Sequence, residues 1–208
     1  MQRGVVVIGA GGHAKVCIEL LRSMGTPIGY CVAESGSKDC LGVPVLEGDA
    51  ELQSLRRAGY RLAFPAVGSN AVRLRLSTAA IDLGFELVNA VSSAAVVSPT
   101  AKIGAGIAVM AGAVINADTV IGDMAIINTG ATVDHDCHIG VAAHIAPQCG
   151  LAGNVKVGDR SFLGIGCQII PGVVIGADVT VGAGSVVIAD IPSGQRVAGV
   201  PAKPLKHS

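Results

Sequence analysis

The sequence predicts an α/β half followed by a left-handed parallel β-helix of hexapeptide repeats. Three observations predict it: a strict six-residue aliphatic period, a column of small residues two positions ahead of that period, and an opening of strand, glycine loop and helix. The period runs through Val97, Ile103, Val109, Ile115, Ile121, Ile127, Val133, Ile139, Ile145, Leu151, Val157, Leu163, Ile169, Ile175, Val181 and Val187. No position in this run of sixteen departs from Val, Ile or Leu. The second column holds Ala95, Ala101, Ala113, Ala125, Ala131, Cys137, Ala143, Cys149, Ser161, Cys167 and Ser185. Residues two apart on a strand share a face, so both columns point into one tube, with the small residues where it is tight. Glycine follows the aliphatic at Gly104, Gly122, Gly140, Gly158, Gly164, Gly176 and Gly182, read here as corners that need a permissive backbone.

The first half reads as a nucleotide-binding α/β pattern. Val5 to Ile8 is a buried strand, and Gly9-Ala10-Gly11-Gly12-His13 a loop into a helix. That helix carries an apolar stripe through Val16, Cys17, Leu20, Leu21 and Met24. Strands follow at residues 28–32 and 61–67, the latter ending at Gly68-Ser69-Asn70. A helix over 71–84 then leads to a strand near 86–91. The expected division is 1–85 for a Rossmann-like nucleotide-sugar-binding domain, 86–191 for the β-helix, and 192–208 for a tail. The α/β part is too short for both halves of a dinucleotide fold, so a nucleotide-sugar fits it better than NAD.

Composition agrees with a tube of small aliphatics. Of 208 residues, 50% are hydrophobic but only 2% aromatic, and Gly alone contributes 29. The core is therefore built from Val, Ile, Leu and Ala. Fifteen basic residues balance 15 acidic ones, which gives no footprint for nucleic acid. No apolar run approaches the ~20 residues of a membrane span, so no membrane insertion is expected. The apolar N-terminus reads as a first strand, which predicts a cytoplasmic protein. Six cysteines without a CxxC pair are expected to be reduced thiols.

The walls of a β-helix are nearly inert, so its polar interruptions carry the chemistry. The richest is Asn128-Thr129-Gly130-Ala131-Thr132-Val133-Asp134-His135-Asp136-Cys137-His138, followed by His144. A neutral imidazole, with an ordinary pKa of ~6.5, suits a general base, and an adjacent carboxylate orients it. His135 lies between two acids. That pattern fits a base and fits an ordinary polar corner equally, and spacing does not say whether Asp134 or Asp136 pairs with the ring. His138 and His144 precede inward aliphatics and should point outward, to solvent or to an interface. A metal set of His135, His138, His144 and Asp136 would have to reach from different faces, and no metal is expected. Cys137 falls in the small inward column, where a thiol behaves as a small hydrophobe. In the α/β half, Gly9, Gly11 and Ala14 form G-x-G-x-x-A between a strand and a helix, where main-chain N–H groups hold phosphate or simply make a tight turn.

Four segments together resemble the PglD/NeuD family: VVVIGAGGHAKV, AVGSNAVR, NTGATVDHDCHIG and AGVPAK. That family comprises sugar-nucleotide N-acetyltransferases and sialic acid O-acetyltransferases, and the similarity spans nearly the whole chain. The resemblance implies a homotrimer with acetyl-CoA in the groove between adjacent β-helices. It implies His135 as general base with Asp136 as its partner, His144 near the acetyl group, and Asn128 near the sugar. Gly153, Ile165 and Ala183 match positions along the CoA arm, and Val200, Pro201 and Lys203 a loop near its nucleotide. Gly9, Gly11, Gly12 and His13, with Gly68, Ser69 and Asn70, match loops that hold the nucleotide-sugar. Relatives acting on UDP-sugars carry two acids after the second strand. Here Ala33-Glu34 stands there, which makes a GDP-sugar such as GDP-perosamine a rival to a UDP-sugar.

The implied activity is acetyl-CoA-dependent N-acetylation of a nucleotide-linked 4-amino-4,6-dideoxy sugar, by direct transfer with His135 as base. Sialic acid or sugar O-acetylation is the alternative, followed by a non-catalytic β-helix scaffold and, on the glycine loop alone, an NAD-binding regulator.

Overall fold

In the computed structural model, which describes residues 3–34 and 38–205, the chain divides between Val91 and Ser92 into two units. Residues 206–208 of the expected tail lie outside the described residues. The first unit runs β1 (Val5–Ile8), α1 (Gly12–Ser23), β2 (Ile28–Ala33), β3 (Asp39–Cys40), β4 (Val43–Glu47), α2 (Ala50–Arg57), β5 (Leu62–Pro65), α3 (Asn70–Asp82) and β6 (Glu86–Leu87). Its sheet has the order β3-β4-β2-β1-β5-β6, parallel except for the β3–β4 pair. The chain leaves β1 toward β2 on one side and returns to β5 on the other. The carboxyl ends of β1, β2 and β5 therefore flank a topological switch point, where open α/β sheets bind ligands.

Val6, Ile8, Val32, Leu52, Leu55, Ala63, Leu76, Ala80 and Phe85 form the core of this unit. On α1 the buried face is Ala14, Cys17, Ile18, Leu20 and Leu21. Val16 and Met24, read from sequence as part of the stripe, are exposed. Positions 14, 17, 18 and 21 follow the 3-and-4 helical spacing, and Val16 falls nearly half a turn from the centre of that face.

The second unit is the left-handed parallel β-helix. Its two-residue strands stack in register every 18 residues, so that Ile126 pairs with His144 and His144 with Phe162. Face one contains Ala108–Val109, Ile126–Ile127, His144–Ile145, Phe162–Leu163, Thr180–Val181 and Arg196–Ala198. Face two contains Val96–Val97, Val114–Ile115, Thr132–Val133, Gly150–Leu151, Gln168–Ile169 and Val186–Val187. Face three contains Lys102–Ile103, Val120–Ile121, His138–Ile139, Lys156–Val157 and Val174–Ile175. From Val109 upward the aliphatic column is buried. Ile103 is 37% exposed, because its strand is the edge of face three and has no coil beyond it.

The corners differ from the sequence reading in one respect. Left-handed backbone falls not on the glycines that follow the aliphatics but two residues later, often on non-glycine residues such as Met124, Asp136, Asn154, Arg160 and Asp178. The glycines answer a different demand. A Cβ on Gly158 would stand 2.4 Å from the Ala177 nitrogen and 2.5 Å from the Gly176 carbonyl carbon. The next coil passes too close for any side chain there.

Hydroxyls and thiols in the small inward column tie successive coils together. Ser161 Oγ donates to the Gly176 carbonyl at 2.7 Å and accepts the Val179 N–H at 2.9 Å. Thr119 does the same with the Asp134 carbonyl and the Cys137 N–H. The thiols of Cys137, Cys149 and Cys167 donate to Ala152, Gly164 and Gly182 carbonyls. All six cysteines are buried free thiols.

Candidate active site

His135 sits on the edge between faces two and three, in a corner column formed by Ala117, His135, Gly153 and Pro171. The coils on either side fix it: Asp136 N–H donates to the Ala117 carbonyl at 3.0 Å, and Asn154 N–H to the His135 carbonyl at 2.9 Å. Asp136 is in the left-handed region at φ 58°, which turns its carboxylate back onto the preceding ring. His135 Nδ1–H donates to Asp136 Oδ2 at 2.8 Å. The acid left undecided by sequence is therefore Asp136. Asp134 instead accepts the His135 main-chain N–H and the Asn116 side-chain amide, each at 2.8 Å.

Electrostatics follow from these bonds. Asp136, then Asp134, hold the His135 imidazole above its usual pKa. The hydrogen bonds from Asn116 and the His135 N–H keep the Asp134 carboxyl below the usual carboxylate range. With its proton on Nδ1, the ring presents the Nε2 lone pair outward as a proton acceptor. Gly153 lies against the ring: a Cβ there would stand 2.5 Å from Cε1 and 2.6 Å from Nε2. Cys137, next to this pair, is turned inward, and burial raises its thiol pKa. It is a coil tie, poorly suited to nucleophilic attack.

The remaining β-helix residues gather on a different edge. Asn128, Ile165 and Ala183 lie on the edge between faces one and two. The turn carrying Val200 and Pro201 is tied to that edge by the bonds of Gly199 N–H to Ser185 Oγ and of Ala202 N–H to the Val186 carbonyl. Ile165 and Val200 are open to solvent, at 58% and 73% exposure. Lys203 pairs with Ala198 just beyond this turn. His144 projects from face one yet is only 8% exposed. Its Nε2 accepts from the Asn128 amide at 3.0 Å, and its ring meets Phe162 edge-on at 5.2 Å. One chain thus unites His135, Asp136 and Gly153 on one edge and Asn128, His144, Ile165, Ala183 and Val200 around another.

In the first unit, Gly9 has φ 120°, and a Cβ there would meet the Ala66 carbonyl at 2.7 Å, so the turn itself requires glycine. Gly11, Gly12 and Gly68 are different. A Cβ on any of them would meet nothing within 4 Å, and none has a left-handed φ. Neither backbone nor packing demands glycine there, which leaves room for close approach of a ligand. Helices α1 and α3 start at these loops, with Gly11 and Ser69 as N-caps that make no side-chain capping bond and with no acid in the first turn. Their N–H groups and dipoles favour an anion. Arg73 is buried, donating to the Val67 and Gly68 carbonyls and to Asn70 Oδ1, and so shapes the second loop. Burial and Arg73 lower the His13 pKa to about 4, which keeps its ring neutral near pH 7. A crevice of about 330 Å³ adjoins these loops, lined by Gly9, Ala33, Glu34, Val72, Asp49 and Arg75 among others. Asp49 and Arg75 were not singled out from the sequence. Their ion pair links residues far apart in the chain, with no local pattern to mark it.

Among the described residues, no group of three or more His, Cys, Asp or Glu side chains is placed to hold a metal ion, and no helix is long and apolar enough to cross a membrane.

Comparison with known proteins agrees with both units. The PglD N-terminal domain family matches residues 4–80, and the bacterial transferase hexapeptide (six repeats) family matches residues 154–189. PerB from Caulobacter crescentus, solved with CoA and GDP-perosamine, is 53% identical, covers 97% of each chain and superposes with a TM-score of 0.94. A mutant of the perosamine N-acetyltransferase from Caulobacter crescentus, with the same two ligands, is 52% identical over 98% of this chain and 97% of that one, with a TM-score of 0.97. The acetyltransferase domain of PglB from Neisseria gonorrhoeae FA1090, solved with acetyl coenzyme A, is 42% identical over 99% of this chain and all of the other, with a TM-score of 0.93. The fold and these matches define a hexapeptide-repeat acyltransferase. Within that class the chain belongs to the PglD/NeuD family.

Proposed function

We propose that this chain transfers an acetyl group from acetyl-CoA to the 4-amino group of a nucleotide-linked 4-amino-4,6-dideoxy sugar, with a GDP-linked sugar such as GDP-perosamine as acceptor. The observation that carries this reading is the similarity, at 52–53% identity over almost the full length, to enzymes solved with CoA and GDP-perosamine. The glycines of the first unit with open space above them support a diphosphate on helices α1 and α3. The Glu34 position, lacking the paired acids of UDP-sugar relatives, agrees with guanine over uracil.

In the proposed step the sugar amine attacks the thioester carbonyl carbon while His135 Nε2 takes the proton that nitrogen loses. Asp136 stabilises the resulting imidazolium through Nδ1–H. Collapse of the tetrahedral intermediate breaks the carbon–sulfur bond, and the CoA thiolate leaves and takes up a proton. The amide product and free CoA balance the reaction, and no protein thiol carries the acyl group. Ile165, Ala183, Val200, Pro201, Lys203 and Gly153 are assigned to CoA, and Asn128 and His144 to the sugar and acetyl groups. These residues occupy two edges of one prism, which supports a homotrimer whose neighbouring chains face each other across the site. Light scattering should return three times the chain mass.

The test is release of CoA thiol with GDP- and UDP-linked 4-amino sugars. Turnover with the GDP-sugar is expected, and His135→Asn should lower it by at least ~10²-fold. An unchanged rate in that variant removes His135 from the base role, and turnover confined to the UDP-sugar refutes the guanine assignment.

A further inference from the structure

We propose that Asp49 and Arg75 read the Watson–Crick edge of a guanine base, Asp49 accepting from N1–H and the 2-amino group and Arg75 donating to O6. This rests on the nucleotide-sugar reading above and assigns the base to two residues outside the glycine loops.

Asp49 stands at the N-cap of α2, a position where an aspartate ordinarily bonds the first N–H groups of its helix. Here its backbone is already helical, at φ −61° and ψ −24°, and the side chain makes no such bond. Its main chain is anchored nonetheless, because Gly48 N–H donates to the Ala33 carbonyl at 2.9 Å, pinning this corner to the end of β2. The carboxylate turns into the crevice and meets Arg75 Nη1 at 3.4 Å. On its other side Arg75 meets Glu34 at 3.6 Å, which keeps the guanidinium at the crevice. Val32, Val67 and Leu76 supply apolar lining for a flat ring. The volume of about 330 Å³ lies at the lower end of small-ligand clefts, ~300–1,000 Å³. The crevice opens at the carboxyl ends of β1, β2 and β5, where the fold delivers a nucleotide.

The order of polar groups selects the base. Guanine presents two donors followed by an acceptor along one edge, and a carboxylate beside a guanidinium is the matching sequence of acceptor and donor. Uracil presents acceptor, donor, acceptor, which would set a carbonyl oxygen against the Asp49 carboxylate. The pair is about half exposed, so it contributes little to folding and its polar atoms are open to a ligand.

The experiment is calorimetric titration of the full-length protein with GDP, IDP and UDP, for the native chain and for Asp49→Asn and Arg75→Met. IDP keeps N1–H and O6 but lacks the 2-amino group. Native protein should bind GDP most tightly. Asp49→Asn should weaken GDP by roughly 5- to 150-fold, the range of one good bidentate contact, and IDP by less. Arg75→Met should weaken GDP and IDP alike, and neither variant should change UDP by more than about threefold. CoA affinity serves as the control for folding and should stay constant. Equal loss for all three nucleotides, or no loss for GDP, overturns the assignment. If the native enzyme turns over a GDP-amino sugar while Asp49→Asn binds GDP normally, only the base assignment fails. If native protein binds none of the three, the nucleotide reading fails with it.

Discussion

Gly153→Ala is a sensitive probe of the His135 site, because the atoms nearest the added methyl group all belong to the ring. The new Cβ would lie 2.5 Å from His135 Cε1, whereas carbons in contact sit ~3.5–4.0 Å apart, so the ring must retreat by about 1 Å. The backbone at Gly153 is not left-handed, and His135 is a largely exposed side chain with room to move. Folding should therefore change by no more than ~0.5 kcal/mol, a melting shift within about 2 °C. Catalysis is less forgiving. A 1 Å displacement of a catalytic group can cost ~10²-fold, and here it also stretches the 2.8 Å bond to Asp136. The assay is kcat and KM for acetyl-CoA by thiol release, alongside a thermal melt. A fall in kcat of about 10²-fold with an unmoved melt is expected. Unchanged kcat with a raised KM would show that the methyl obstructs CoA and leaves the base in place, refuting the reasoning.

The carboxylate of Asp136 raises the His135 pKa, and only the neutral ring accepts a proton, so activity should rise with pH through that raised value. Asp136→Asn removes the stabilisation of the imidazolium, so the acid limb of kcat/KM should move to lower pH while the plateau falls by about 10- to 100-fold; a limb that stays put contradicts the pairing. Ser161→Ala strips both the donor to the Gly176 carbonyl and the acceptor of the Val179 N–H, at a cost of ~1–3 kcal/mol and about 2–12 °C in melting temperature. Cys137→Ala, losing only a weak thiol donor, should melt closer to the native protein.

Much of the second unit is legible in the sequence because its coils contact only their neighbours, so a six-residue period maps directly onto faces. The aliphatics from Val109 to Val187 mark the core, with Val97 and Ile103 less covered, and the parity of His138 and His144 places both outside it. Parity says which way a side chain points but not what covers it. The packing of His144 against Phe162 and Asn128 needed the eighteen-residue stacking of three successive coils to become visible. The corner glycines show the same gap: their spacing is plain, but their reason is the approach of a backbone one coil away. In the first unit the loops at Gly9 and Gly68 are readable from local composition. β3, β4 and α2 carry short, weakly periodic patterns, and with them Asp49 went unread. The link from Asp49 to Arg75 exists only once β4 and α3 are brought to one crevice.

The eighteen-residue stacking sets a rule for how this chain can change length. A whole coil inserted above Gly164 would lengthen the tube and leave His135 and Asn128 on their original edges. An insertion of six residues at the same place would advance every later residue by one face. Ile165 and Ala183 would then move onto the edge that bears His135, and the groove assigned to CoA would lose one of its walls. Insertions confined to a loop tip escape the rule, since they bulge outward without shifting the register. The spacing between the two edges is thus protected by arithmetic, and length variation in such a tube is quantised in full turns.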